Sequence, residues 1–274
     1  MVQISALLIS LFATFVAFNI MRLTEIPERI KTANYRDVEV SITGGIILFF
    51  ASGIFLILFY GLNVLDNVKF SADNLTYVLL AFPFLMAGLL DDFFGGKGSQ
   101  GFLGHFRAVK NGRITTGFIK FFFGVVFSIV ISFFINPSDA SLLNVFFGAL
   151  LIAGSSNIAN LLDLSPGRCL KVYLLFALPL IAIGTIPAFI FFGLIAFLII
   201  PDLSEQLMIG DSGANFVGAF FGIVILSRHS TILTIIAAVF FLVLNVLSER
   251  VSFTKMFAGN PVLNAFDKFG RKYK

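Results

Sequence analysis

Nine stretches of at least fifteen residues run through this chain almost without an ionisable side chain: 2–20, 42–62, 75–90, 115–135, 141–159, 170–184, 186–200, 213–227 and 231–247. A helix needs about 20 mostly apolar residues to cross about 30 Å of hydrocarbon, where every backbone polar group must be satisfied within the segment. The stretches do not alternate over about 10 residues, as strands of an outer-membrane barrel would. Only 12% of the residues are charged, against ~25% in an ordinary soluble domain, which argues against a water-soluble globule. The single Cys cannot form an internal disulfide. The expected fold is an all-α polytopic integral membrane protein of about nine transmembrane helices. The sixth and seventh stretches, joined by Gly184-Thr185-Ile186-Pro187, read as one hairpin or as broken helices. Met1-Val2-Gln3 lacks the basic start of a signal peptide, so the first stretch reads as a mature helix.

The cations set the orientation. If 22–41, 91–114, 160–171, 201–212 and 248–274 share a face with Lys120, that face holds 17 of the 19 Lys and Arg, leaving Lys69 and Arg228 opposite. The positive-inside rule makes the rich face cytoplasmic, with the N-terminus outside and the C-terminus inside. Twelve of the 15 Asp and Glu fall on the same face. The middles of the spans carry almost no ionisable group, which argues against an ion-coupled pump. The chain divides into a transmembrane unit, 1–247, and a basic cytoplasmic tail, 248–274. The tail reads as an amphipathic surface helix interrupted at Pro261.

Four polar clusters lie on the cytoplasmic side. Asp91-Asp92 ends the third span; two carboxylates there are costly unless a cation or donors satisfy them, and they suit Mg²⁺, a hard cation that bridges to phosphates. The alternative is a solvated helix cap. His105, Arg107, Lys110, Arg113 and Lys120, set among glycines, suit an anion or a lipid-facing basic loop. Asn157, Asn160 and Asp163, three apart, fall roughly on one helix face, followed by Arg168, Cys169 and Lys171. Asp211, between Gly210 and Gly213 and ahead of Asn215, precedes a helix N-terminus, where it could cap or bind a ligand. Together they supply carboxylates for a divalent metal, cations for phosphates and amides for a polar substrate.

Asp91-Asp92, Asn157-x-x-Asn160-x-x-Asp163 and Gly210-Asp211-x-Gly213, in that order and with Gly44-Gly45 opening the second span, resemble the polyprenyl-phosphate N-acetylhexosamine-1-phosphate transferases. The resemblance implies a Mg²⁺-dependent (or Mn²⁺-dependent) membrane enzyme. It would move a phospho-N-acetylhexosamine from a UDP-sugar to undecaprenyl phosphate, releasing UMP, in bacterial cell-envelope synthesis. By motif, Asp211 would ligand the metal with Asp91; Asp91, Asp92, Asp163 and Lys120 would be catalytic. Asn157, Asn160, His105, Arg107, Arg168, Lys171 and Asn215 would bind substrate. Family members commonly have ten or eleven spans. Three further departures concern the donor: Pro166 replaces a second aspartate, Met208 replaces an aromatic, and a late His-rich motif is missing. They predict altered donor preference, with the muramoyl-pentapeptide donor least expected.

The partners implied are polyprenyl phosphate, a nucleotide-sugar and the membrane, with a homodimer allowed and no nucleic acid. The competing readings are a catalytically silent relative that binds polyprenyl phosphate and scaffolds envelope assembly, and a flippase. The flippase would need polar residues through the bilayer.

Overall fold

The computed structural model describes residues 2–25, 30–33, 38–64, 71–95, 108, 110, 112, 115–135 and 141–272. Its helices are α1 (Val2–Arg22), α2 (Gly44–Val64), α3 (Ala72–Leu80), α4 (Phe82–Phe94), α5 (Thr116–Ile135), α6 (Leu142–Leu162), α7 (Arg168–Ala182), α8 (Ile186–Ala196), α9 (Ile199–Leu203), α10 (Gly210–Leu226), α11 (Thr231–Ser248), α12 (Phe253–Gly259) and α13 (Pro261–Lys268). Among the described residues, seven helical segments are long and apolar enough to cross a membrane, with α3–α4 and α8–α9 each counted as one. The third expected span is longer than its apolar run, Ala72–Phe94. It breaks at Ala81 because Pro83 opens the next helix without an N–H to give.

The shorter α10 occupies the centre. Every residue from Ser212 to Leu226 is buried, as expected of a helix apolar on all sides. It packs chiefly against α6 and α4, with α2 also against it. Glycines allow this closeness: a Cβ at Gly218 would strike the backbone of Ser155 and Ser156 on α6. Many of the phenylalanines are not core. Phe121, Phe122, Phe133 and Phe134 on α5 are exposed, as a lipid-facing surface requires.

The all-α expectation holds, with one short ribbon beside the helices. Lys31–Ala33 (β1) and Glu39–Ser41 (β2) pair antiparallel, with Thr32 opposite Val40. Two β-branched residues facing across the ribbon favour that pairing. From its end, the Ser41 carbonyl accepts the Met208 N–H at 2.8 Å, and the Met208 carbonyl accepts the Gly44 N–H at 3.1 Å. The ribbon thus ties the start of α2 to the loop that leads into α10.

The tail forms two short helices rather than one. Asn260 separates them and caps α13, its Oδ1 accepting the N–H groups of Val262 (3.0 Å) and Leu263 (3.2 Å). Pro261 takes the first helical position, where its missing N–H does no harm.

Candidate active site

Four helix ends meet at one end of the bundle: the C-termini of α4 and α6 and the N-termini of α5 and α10. Asp91 comes from α4, Lys120 from the second turn of α5 and Asp211 from the first turn of α10. Lys120 Nζ donates to Asp91 Oδ2 at 3.0 Å and to Asp211 Oδ2 at 2.5 Å. Thr116 donates its hydroxyl to the other Asp91 oxygen at 2.7 Å. The lysine side chain is 20% exposed, so the cluster is partly withdrawn from water and its charges are felt strongly.

Asp92 faces the other way. Its Oδ1 accepts the Asp211 N–H at 2.9 Å and its Oδ2 accepts the Ser212 N–H at 3.0 Å. The first N–H groups of a helix have no partner within it; here a carboxylate from a different helix supplies one. The two adjacent carboxylates therefore have different partners. Asp92 caps, and the helix it caps is the one that carries Asp211. Asp91 holds the lysine.

Two glycines make the cap reachable. A Cβ at Gly88 would collide with the backbone of Asp211 and Ser212, and one at Gly45 with Ser212. Gly88→Ala is expected to destabilise by about 1–3 kcal/mol through overpacking, and to lower turnover by displacing Asp211. A thermal midpoint and a rate on the same detergent-purified sample check both.

Asp163 ends α6 and accepts the Gly210 N–H. Loss of solvent, with the Asp202, Asp211 and Asp92 carboxylates nearby, pushes its carboxyl well above the usual range. The amides behave differently from one another. Asn157 donates to Asn245 of α11 at 2.6 Å, so it is turned to a neighbouring helix. Asn160 Oδ1 and Asn215 Nδ2 are buried without a hydrogen-bond partner. A buried amide atom with nothing to bind is uncommon in a folded protein. Asn215 Oδ1 lies 3.4 Å from the Ser156 hydroxyl.

Arg168 and Lys171 point to the tail. Asp267 of α13 accepts Arg168 Nε at 2.8 Å and Nη2 at 2.9 Å, and Arg271 at 2.5 Å. Lys171 Nζ donates to the carbonyls of Phe266 (2.8 Å), Asp267 (2.7 Å) and Phe269 (3.2 Å), closing the end of α13. The Arg168 guanidinium also stacks over the Phe257 ring at 4.7 Å. Sequence reasoning gave these cations to substrate and missed Asp267; its one signal was a lone acid among the basic residues of 250–272. His105, Arg107 and Arg113 lie outside the described residues, and Lys110 is exposed. Cys169 is buried in the core.

The donor chemistry suits Mg²⁺, which is usually held by one or two carboxylates with substrate phosphates and water completing its shell. Asp91 and Asp211, already drawn together through Lys120, form such a pair. Among the described residues no group of three His, Cys, Asp or Glu is placed to hold a metal.

No family model matches the chain. Curated relatives do. The phospho-N-acetylmuramoyl-pentapeptide-transferases of Borreliella burgdorferi strains ZS7 and B31 are each 28% identical over 268 residues, covering 83% of this chain and 73% of theirs. The protein of the same name from Borrelia garinii subsp. bavariensis is 28% identical over 271 residues, with the same coverage.

Proposed function

Because the chain is a divergent member of the polyprenyl-phosphate N-acetylhexosamine-1-phosphate transferase superfamily, we propose that it moves a phosphosugar from a UDP-sugar to undecaprenyl phosphate at the cytoplasmic membrane face, releasing UMP. The observation that carries this reading is the Asp91–Lys120–Asp211 cluster, assembled from three helices at the end where α6 brings Asp163 and Asn160. The cytoplasmic placement rests on the Lys and Arg distribution.

In the reaction, an oxygen of the acceptor phosphate attacks the sugar-bearing phosphorus of the donor, and the bond from that phosphorus to UMP breaks. Two anions must approach, so the barrier is largely electrostatic. Lys120 is the cation positioned to meet the diphosphate. Asp163, with its raised carboxyl pKa, is suited to hold or accept a proton at the acceptor phosphate. Asn160 and Asn215 have buried amide atoms free to meet polar groups of the substrate. Asp92 positions Asp211 through the α10 backbone. Asp91 and Asp211 would hold Mg²⁺, which when bound would neutralise charge on the diphosphate. The relatives' names restore the phospho-N-acetylmuramoyl-pentapeptide to the donors worth testing, against the expectation from the missing His-rich motif.

The test is UMP release from purified protein with undecaprenyl phosphate, Mg²⁺ and a panel of UDP-sugars that includes UDP-N-acetylmuramoyl-pentapeptide. Release is expected to require lipid, to stop with EDTA and to return with added Mg²⁺. Asp211→Asn should remove it. No release with any donor, from protein that still binds the lipid phosphate, would sink the enzyme reading in favour of the silent scaffold.

A further inference from the structure

At the opposite end of the bundle lies a cavity of about 300 Å³. It is framed by the start of α3, the α7–α8 connection and the chain leaving α10. The same α10 carries Asp211 at its other end; seventeen residues at about 1.5 Å each put roughly 25 Å between the two sites. We propose that this cavity binds a zwitterionic phosphodiester, a phosphate that carries an ammonium group, as in an aminophospholipid headgroup.

The charges at its mouth point to such a ligand. Asp73, Arg228 and His229 all line it. Asp73 is held by the Ser71 hydroxyl at 2.8 Å. Among the described residues no ion pair joins Asp73 to Arg228. Opposite charges share one opening with no ion pair between them, so each can meet a ligand group bearing the complement. Arg228 offers the planar fork that fits phosphate oxygens in pairs. Asp73 offers the counter-charge for an ammonium, and the ring of Tyr77, which also lines the cavity, offers a π face. A purely anionic headgroup would meet Asp73 unfavourably, and a neutral sugar would leave Arg228 unmatched.

The floor and the backbone agree. Asn74 and Thr185 are only 8% and 4% exposed, though the helices around them are apolar. Thr185 Oγ1 makes no hydrogen bond and does not cap α8, although it sits at the N-cap position. Buried hydroxyls are normally satisfied. His229 has φ 49°, a left-handed conformation that costs a side-chain-bearing residue energy. That turn reverses the chain after α10 and sets Arg228 and His229 at the opening.

The test uses the full chain in detergent and native mass spectrometry with phosphatidylethanolamine and phosphatidylglycerol of matched acyl chains. Wild-type protein should retain the ethanolamine lipid preferentially. Arg228→Gln should reduce its retention at least tenfold. Asp73→Asn should level or invert the preference between the two lipids. If Asp73→Asn frays α3, whose cap it shares with Ser71, Arg228→Gln still decides, because Arg228 caps no helix. Competition by soluble glycerophosphoethanolamine would assign the headgroup alone as ligand; a persistent lipid preference without competition would assign the membrane lipid. Equal retention of both lipids, or a preference that neither substitution alters, overturns the proposal.

Discussion

Lys120→Met is expected to lower turnover by about 10²–10³-fold, the effect of removing one pre-arranged electrostatic contact from a transition state. The lysine is held by Asp91 at 3.0 Å and Asp211 at 2.5 Å, so its ammonium is already placed beside the two carboxylates proposed to meet the metal and the diphosphate. Methionine keeps most of the side chain's volume and apolar stem, so the loss should come from charge and not from a cavity. It also leaves two carboxylates facing each other without their shared cation. Lys120→Arg should rescue poorly, because a planar fork does not reproduce a compact point charge seated between two oxygens. Steady-state kinetics on the best donor check this, with the loss expected in kcat as well as kcat/KM. Turnover within about threefold of wild type would assign Lys120 to scaffold and remove the electrostatic basis of the proposed mechanism.

What could be read from the sequence follows from how local each feature is. Asp91-Asp92, Asn160, Asp163 and Asp211 stood out because polar residues at the ends of apolar runs are visible without knowing what they face. Their partners were not visible. Whether Arg168 faces a substrate or its own chain is decided by Asp267, ninety-nine positions away, and the two cases look identical in sequence. Asn157 and Asn160 read as one stripe because three residues separate them, yet 100° per residue leaves them 60° apart around the helix. That angle turns Asn157 to Asn245 and leaves the Asn160 amide oxygen unpartnered. The β1–β2 ribbon was hidden for another reason: three-residue strands are too short for an alternating pattern to register. The division of labour between Asp91 and Asp92 could not be foreseen either, because adjacent residues on a helix point about 100° apart and only the packing of α10 shows which one caps it.

Asp267→Ala should release the tail from the bundle. Asp267 and Arg168 are 7% and 2% exposed, and removing one partner of a buried ion pair typically costs about 3–5 kcal/mol because the other charge is left unmatched. Here Arg168 would be left with Nη1 already lacking a partner. The observed loss cannot exceed the free energy of undocking α12 and α13, since the tail can open locally while the bundle stays folded. The expected signature is therefore early tryptic cleavage within 250–272, at sites such as Lys255, Lys268 and Arg271, with a smaller change in the main thermal transition. The effect should also reach the active end. Arg271 donates to Ser165 as well as to Asp267, and Ser165 lies in the connection that follows Asp163, so a freed tail loosens the support of that carboxylate. A misplacement of about 1 Å can cost about 10²-fold in rate, and turnover should fall to an extent set by how far Asp163 moves. Acid should reproduce the release in wild type. Burial raises the Asp267 carboxyl, but its bonds to Arg168 and Arg271 more than offset that and leave it below its ordinary value. Docking is thus fully supported above the unfolded pKa of about 3.9 and weakens as pH falls below it toward the lower folded value. Protease resistance of Asp267→Ala equal to wild type would show that Lys171 and its three carbonyl contacts hold the tail without the ion pair.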